Sequence, residues 1–95
     1  MHEELDRVLH QPIRTKIMSY LATHKHADYA TLKKLFTLSD GHMTTHMKEL
    51  VENKYVTVKK EFIDNKPRTT YSITPKGIDA FLNYVQTLKK IISIN

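Results

Sequence analysis

The sequence predicts a mainly α domain carrying one small β-hairpin, and three observations support that prediction. Apolar residues recur at helical spacing over residues 5–21, 32–51 and 78–92. Between residues 55 and 73 the period changes to a β-branched alternation. Glycine occurs only at positions 41 and 77, so regular elements joined by tight connections fill nearly the whole chain. The 95 residues suit a single domain, and 40% apolar with 26% charged residues are globular values.

Taken in order, Leu5, Val8 and Leu9 predict a short helix ending at His10-Gln11. Pro12 suits the first turn of a second helix, where its missing N–H costs nothing. Ile13, Ile17 and Leu21 recur on that helix's inner face, with Met18 and Tyr20 at the margins. Lys25-His26-Ala27 reads as a connection and Asp28-Tyr29 as a brief extended step, and Leu32, Leu35 and Phe36 mark a short third helix. After the turn Thr37-Leu38-Ser39, Ser39 is the expected N-cap of a fourth helix. Its Met43, Met47, Leu50 and Val51 form one apolar stripe, ending near Asn53-Lys54. Tyr55–Phe62 and Thr69–Ile73 predict a hairpin with a loose basic tip over 63–68. Thr74-Pro75 starts a last helix with a stripe of Ile78, Phe81, Leu82, Val85, Leu88 and Ile92.

This order of elements is that of a winged helix-turn-helix: one domain over 1–95, with core and wing over 5–74 and an extended C-terminal helix over 75–93. Fifteen Lys and Arg against ten Asp and Glu give a formal charge of +5, which suits a polyanionic partner. The absence of cysteine excludes disulfides and thiolate chemistry. No apolar run approaches the roughly 20 residues that cross a bilayer, and the acidic start Met1-His2-Glu3-Glu4 lacks the pattern of a signal peptide, so the expected location is the cytoplasm. There is no nucleophile with an evident base, no phosphate-cradling loop and no paired carboxylates, so neither an enzyme nor a cofactor is expected.

On the fourth helix, steps of about 100° turn Gly41, Thr45, Lys48, Glu49 and Glu52 away from the stripe, with His42 and Thr44 flanking. His42, Thr44, Thr45 and Lys48 are the candidate base-reading residues, because hydroxyls, methyls and cations suit the edges of the major groove. Ser39 and Gly41 at the helix start are candidate backbone contacts. So are Lys33 and Lys34 of the third helix and Lys59, Lys60, Lys66 and Arg68 of the hairpin. Asp40 complements the helix dipole. His42, His46 and Glu49 lie within reach of one another along the helix, which leaves a histidine-based metal-responsive regulator as an alternative; the main reading has no metal. Ile78, Val85 and Ile92 fall seven apart, with Phe81, Leu82 and Leu88 between them. That seam, together with Leu5, Val8 and Leu9, is the candidate dimer interface.

Four segments carry a family resemblance: Leu5 to Arg14; Asp28-Tyr29; Leu38 to Leu50; and Arg68-Thr69-Thr70-Tyr71-Ser72-Ile73-Thr74-Pro75-Lys76-Gly77. Over residues 5 to 90 the chain resembles the stand-alone winged-helix transcriptional regulators of prokaryotes, relatives of the ArsR and MarR families. The resemblance implies a homodimer on duplex DNA at a pseudopalindromic operator, with a recognition helix over 39–53 in the major groove and a wing over 59–68 along the backbone. A repressor role follows from the class. Ala30 departs from the Ser or Thr often found before the third helix, and the cysteine-containing metal motif is absent. The alternative of another class is a winged helix used for protein–protein assembly.

Overall fold

The computed structural model describes residues 4–93; Met1, His2 and Glu3 of the acidic start, with Ile94 and Asn95, lie outside it. Four helices and three strands follow in the order α1 (Pro12–His24), β1 (His26–Asp28), α2 (Tyr29–Leu35), α3 (Asp40–Glu52), β2 (Val56–Ile63), β3 (Lys66–Ile73) and α4 (Pro75–Ile92). This is the winged-helix arrangement that the order of elements predicts.

The N-terminal segment is not a helix. Asp6 Oδ1 accepts from the N–H groups of Val8 and Leu9 at 2.8 and 3.1 Å, which closes a turn. Gln11, which precedes a proline and is therefore biased away from helical geometry, is extended and caps α1 by accepting from the Arg14 N–H. The turn drives Leu9 into the core at 0% exposure, which removes it from the expected dimer surface. Met18, expected at a margin of α1, is equally buried, because Ile17, Met18 and Leu21 together form the inner face.

His26, Ala27 and Asp28 are a strand rather than a plain connection, pairing antiparallel with Ser72, Tyr71 and Thr70. The sheet order is β1-β3-β2. The hairpin tip is tighter than expected. Ile63 pairs with Lys66, leaving Asp64 and Asn65 as a two-residue turn with φ of 52° and 62°. Two successive left-handed residues match the twist of the flanking strands, and Asp and Asn tolerate that conformation. Pro67 sits in β3 beyond the reach of β1, so its missing N–H leaves no ladder bond unmade.

The core gathers Leu9, Ile17, Met18, Leu21, Leu32, Met43, Met47, Leu50, Val56, Tyr71 and Tyr84. On α4 the inward residues are Gly77, Tyr84 and Thr87. The predicted stripe is thus split, with Phe81 and Leu88 packing against the core at partial burial while Leu82 and Ile92 stay 57% and 62% exposed. Leu35 is likewise exposed rather than inward. Gly77 is required by close packing, since a Cβ there would lie 2.2 Å from the Tyr55 carbonyl oxygen. Thr74 sets the approach: its N–H donates to that same carbonyl, and its hydroxyl oxygen accepts from the Gly77 N–H.

Candidate nucleic-acid interface

α3 is held along one side and bare along the other. Met43, His46, Met47 and Leu50 are buried; Gly41, His42, Thr44, Thr45, Lys48, Glu49 and Glu52 are exposed. Ser39 caps the helix by accepting from the His42 N–H at 3.1 Å. The first bond within the helix runs from Met43 N–H to Ser39 C=O, so the N–H groups of Asp40 and Gly41 precede the ladder and lie at exposed residues.

The turn before α3 fixes its entry. Leu38 N–H donates to Lys33 C=O and Thr37 N–H to Lys34 C=O, with Thr37 left-handed at φ 52°. These paired bonds satisfy carbonyls at the end of α2 and reverse the chain within three residues. Asp28 supplies the α2 cap that Ala30 does not, accepting from the Thr31 N–H at 2.7 Å. Hydrogen bonding from the Thr31 side chain and then from that N–H, and more weakly the Arg68 guanidinium 3.9 Å away, hold the Asp28 carboxyl below its usual range.

Across the turn, Asp40 Oδ1 accepts from both Lys33 Nζ at 2.8 Å and the Tyr29 hydroxyl at 2.5 Å. The Lys33 bond leads in keeping the Asp40 carboxyl below its ordinary value, and the bond to Asp40 pushes the Tyr29 hydroxyl up to about 12. Lys33 is therefore engaged with Asp40, and of the two lysines expected to contact phosphates from α2 only Lys34 has no ion pair among the described residues. The Thr44 hydroxyl donates to Asp40 C=O at 2.9 Å, so it retains its acceptor lone pairs and methyl while its proton is committed to the helix. Thr45 and Lys48 make no such contact, and no ion pair joins Glu49 or Glu52 to Lys48 or Lys54 among the described residues.

Arg14 braces the inner side of α3, a role the sequence did not disclose. Its Nε donates to Val8 C=O, and its Nη1 lies 3.2 Å from His46 Nδ1. A guanidinium only donates, so Nδ1 accepts and the ring is the neutral Nε2–H tautomer. Burial first, then Arg14 and His42, lowers the His46 pKa from its usual value. His46 thus has its Nδ1 committed, and no three metal-ligating side chains converge among the described residues.

The hairpin presents two faces. Lys59, Lys66 and Arg68 share one, with Glu61 and Ile63; Lys60 is on the other, with Phe62, Pro67 and Thr69. The basic cluster inferred from sequence is therefore divided across the sheet. Arg68 and Lys59 each have a carboxylate at 3.9 Å, from Asp28 and Glu61, whereas Lys60 and Lys66 have no ion pair among the described residues.

A family model described as a winged helix DNA-binding domain matches residues 13–92. The chain belongs to that family. An uncharacterized protein of Methanocaldococcus jannaschii is 31% identical over 85 residues that span 90% of this chain and 92% of that one. Among solved structures, a transcriptional regulator homologue from Pyrococcus horikoshii superposes with a TM-score of 0.85 at 29% identity, covering 92% of this chain and 86% of that one. HlyU from Vibrio cholerae shares the fold at a TM-score of 0.67 and 15% identity, over 93% of this chain and 87% of its own. An ArsR family transcriptional regulator does so at 0.60 and 13%, over 94% and 87%. In this winged helix α2 and α3 form the helix-turn-helix and β2 and β3 the wing. Among the described residues, no helix is long and apolar enough to cross a membrane.

Proposed function

We propose that the protein is a dimeric, sequence-specific regulator of transcription that acts in the cytoplasm as a repressor, with α3 in the major groove and the wing along the phosphate backbone. The observation that supports this best is Gly41. It lies exposed in the first turn of α3, and a Cβ there would meet nothing closer than Ser39 Oγ at 3.9 Å. The chain's own packing therefore does not require this glycine, although glycine destabilises a helix by roughly 0.5–1 kcal/mol relative to alanine. Close approach of an external backbone accounts for it.

In this reading Thr45, Lys48, His42 and the Thr44 acceptor discriminate bases. Ser39, Gly41, Lys34, Lys59, Lys60, Lys66 and Arg68 set the register on phosphates. No large apolar side chain is exposed on α3, which disfavours the protein-docking alternative for that face. Dimerisation falls to α4, the helix over 75–93 in the division expected from sequence. Its outer side exposes Leu82 and Ile92 beside half-buried Ile78 and Val85, and Ile91 is exposed at its end on the side of Tyr84, more than a monomer needs to leave uncovered. Leu5 and Val8, both partly buried, flank it as further candidates.

The test is a salt titration of duplex binding. Thr45→Ala is expected to reduce preference for the selected site by about 1–3 kcal/mol while sparing random duplex. Arg68→Ala should weaken both duplexes alike. Binding unaltered by either change would remove this assignment.

A further inference from the structure

Phe62 has no role in anything described so far. At 78% exposure it is the most exposed of the large apolar residues among those described. It faces Pro67 in the last pair on its side of the hairpin, next to the Asp64-Asn65 turn. Ile63, 40% exposed, stands beside it on the opposite face, so the wing ends in an apolar tip. Every hairpin residue from Thr57 to Arg68 is exposed except half-buried Glu61. From Val58, opposite the buried Tyr71, to Ile63 the strand reaches about 17 Å at ~3.4 Å per residue. None of the described residues covers this tip.

Folding gives no reason for a phenylalanine here. The two-residue turn and the paired strands fix the register, and a ring this exposed adds little to the core. The surroundings indicate its partner. Lys60 lies two residues back on the same face, Lys66 and Arg68 bracket Pro67, and Lys60 and Lys66 have no ion pair among the described residues. An apolar tip ringed by cations is complementary to a surface with a charged rim and an apolar interior. A DNA groove has that chemistry, with phosphates along its edges and stacked bases within.

We propose that Phe62 is a minor-groove wedge. The wing's cations hold the two phosphate rails while the ring enters between adjacent base pairs, partly unstacks them and bends the duplex towards the major groove. Because pyrimidine–purine steps unstack most easily, Phe62 adds a sequence preference outside the bases that α3 reads. This rests on the duplex-binding reading above and assigns the wing a discriminating role beyond phosphate contact.

The experiment uses the full chain with duplexes of roughly 30 base pairs that the protein itself selects from a random pool, end-labelled with a fluorescence donor and acceptor. A second set carries 2-aminopurine at pyrimidine–purine steps in the flanks. Wild type is expected to shorten the end-to-end distance and brighten the probe at one step per half-site. Phe62→Ala should abolish both signals and weaken binding by about tenfold, while Phe62→Leu, which keeps an apolar wedge, retains most of each. If Lys48→Ala weakens binding but Phe62→Ala leaves affinity, bend and probe signal unchanged, the wedge is overturned and the duplex-binding reading stands. If Phe62→Ala instead alters the sedimentation of the free protein, the ring serves a protein contact and the wedge is likewise overturned. If wild type selects no duplex at all, both proposals fall.

Discussion

α3 and the wing both present exposed surfaces, yet they are built in opposite ways. α3 is over-determined. Met43, Met47 and Leu50 are at most 2% exposed, Ser39 caps its start, and Tyr29, Lys33 and Arg14 tie it to the rest of the chain. The wing has its ladder, a two-residue turn and two ion pairs at 3.9 Å, with no buried side chain between Thr57 and Arg68. A surface that reads base edges through hydrogen bonds must be held to fractions of an ångström, and the core supplies that rigidity. A surface that follows a phosphate rail or enters a groove can be mobile. The contrast separates what supports each contact from what each contact does.

The largest effects should come from removing the support of α3. Leu50→Ala empties a fully buried site and should cost about 2–5 kcal/mol in a denaturant titration, whereas Phe62→Ala in the wing should stay within about 0.5 kcal/mol. Equal losses would mean that the wing is as deeply packed as the helix.

The two glycines form the next contrast. Gly77→Ala places a methyl against the Tyr55 carbonyl and should lower stability by about 1–3 kcal/mol. Gly41→Ala meets open space and should raise stability by about 0.5–1 kcal/mol while weakening DNA binding, a combination that a melting curve and a binding isotherm resolve together. A smaller change is expected in the wing, where Lys66→Ala should flatten the log–log salt dependence by about 0.9 for the phosphate it neutralises, with site preference unchanged.

The smallest effect concerns His46, whose pKa is lowered chiefly by burial. Its folded pKa lies below the unfolded value of about 6.5, so the unfolded chain binds the proton more readily. Stability is therefore lost as pH falls below about 6.5 towards the folded pKa. Melting temperature should decline more steeply from about pH 7 to pH 5 in wild type than in His46→Asn, whose side-chain oxygen can still accept from Arg14.

Much of this was legible in the sequence because it rests on periodicity. The stripe of α3, the Ser39 cap, the Thr74-Pro75 start and the hairpin depend on residue types whose preferences act locally. What stayed hidden depends on tertiary contacts or on unusual backbone. Lys25, Thr37, Lys54, Asp64 and Asn65 all adopt positive φ although none is glycine, so the tight ends of α1, α2 and α3 and the tip of the wing carried no glycine signal. Lys25 N–H bonds back to Leu21 C=O, and Lys54 and Tyr55 N–H bond back to Val51 and Leu50 C=O. Leu5, Val8 and Leu9 have helical spacing, but Asp6 captures the backbone donors of Val8 and Leu9 and its Oδ2 receives the Tyr55 hydroxyl, which no local pattern discloses. The Tyr29–Asp40–Lys33 cluster and the Arg14–His46 contact likewise join residues 7 to 32 positions apart. Phe62 looked like one more alternating strand residue, and only its exposure sets it apart.

Because the chain has no cysteine, one introduced thiol is unique. A short photo-cross-linker on Thr45→Cys, at the centre of the bare side of α3, tests the interface most directly against the same reagent on Thr23→Cys, exposed on α1. The prediction is capture of bases in a selected duplex from position 45, lost at high salt, with none from position 23. Capture from position 23 and none from position 45 would contradict the assignment of α3 to DNA.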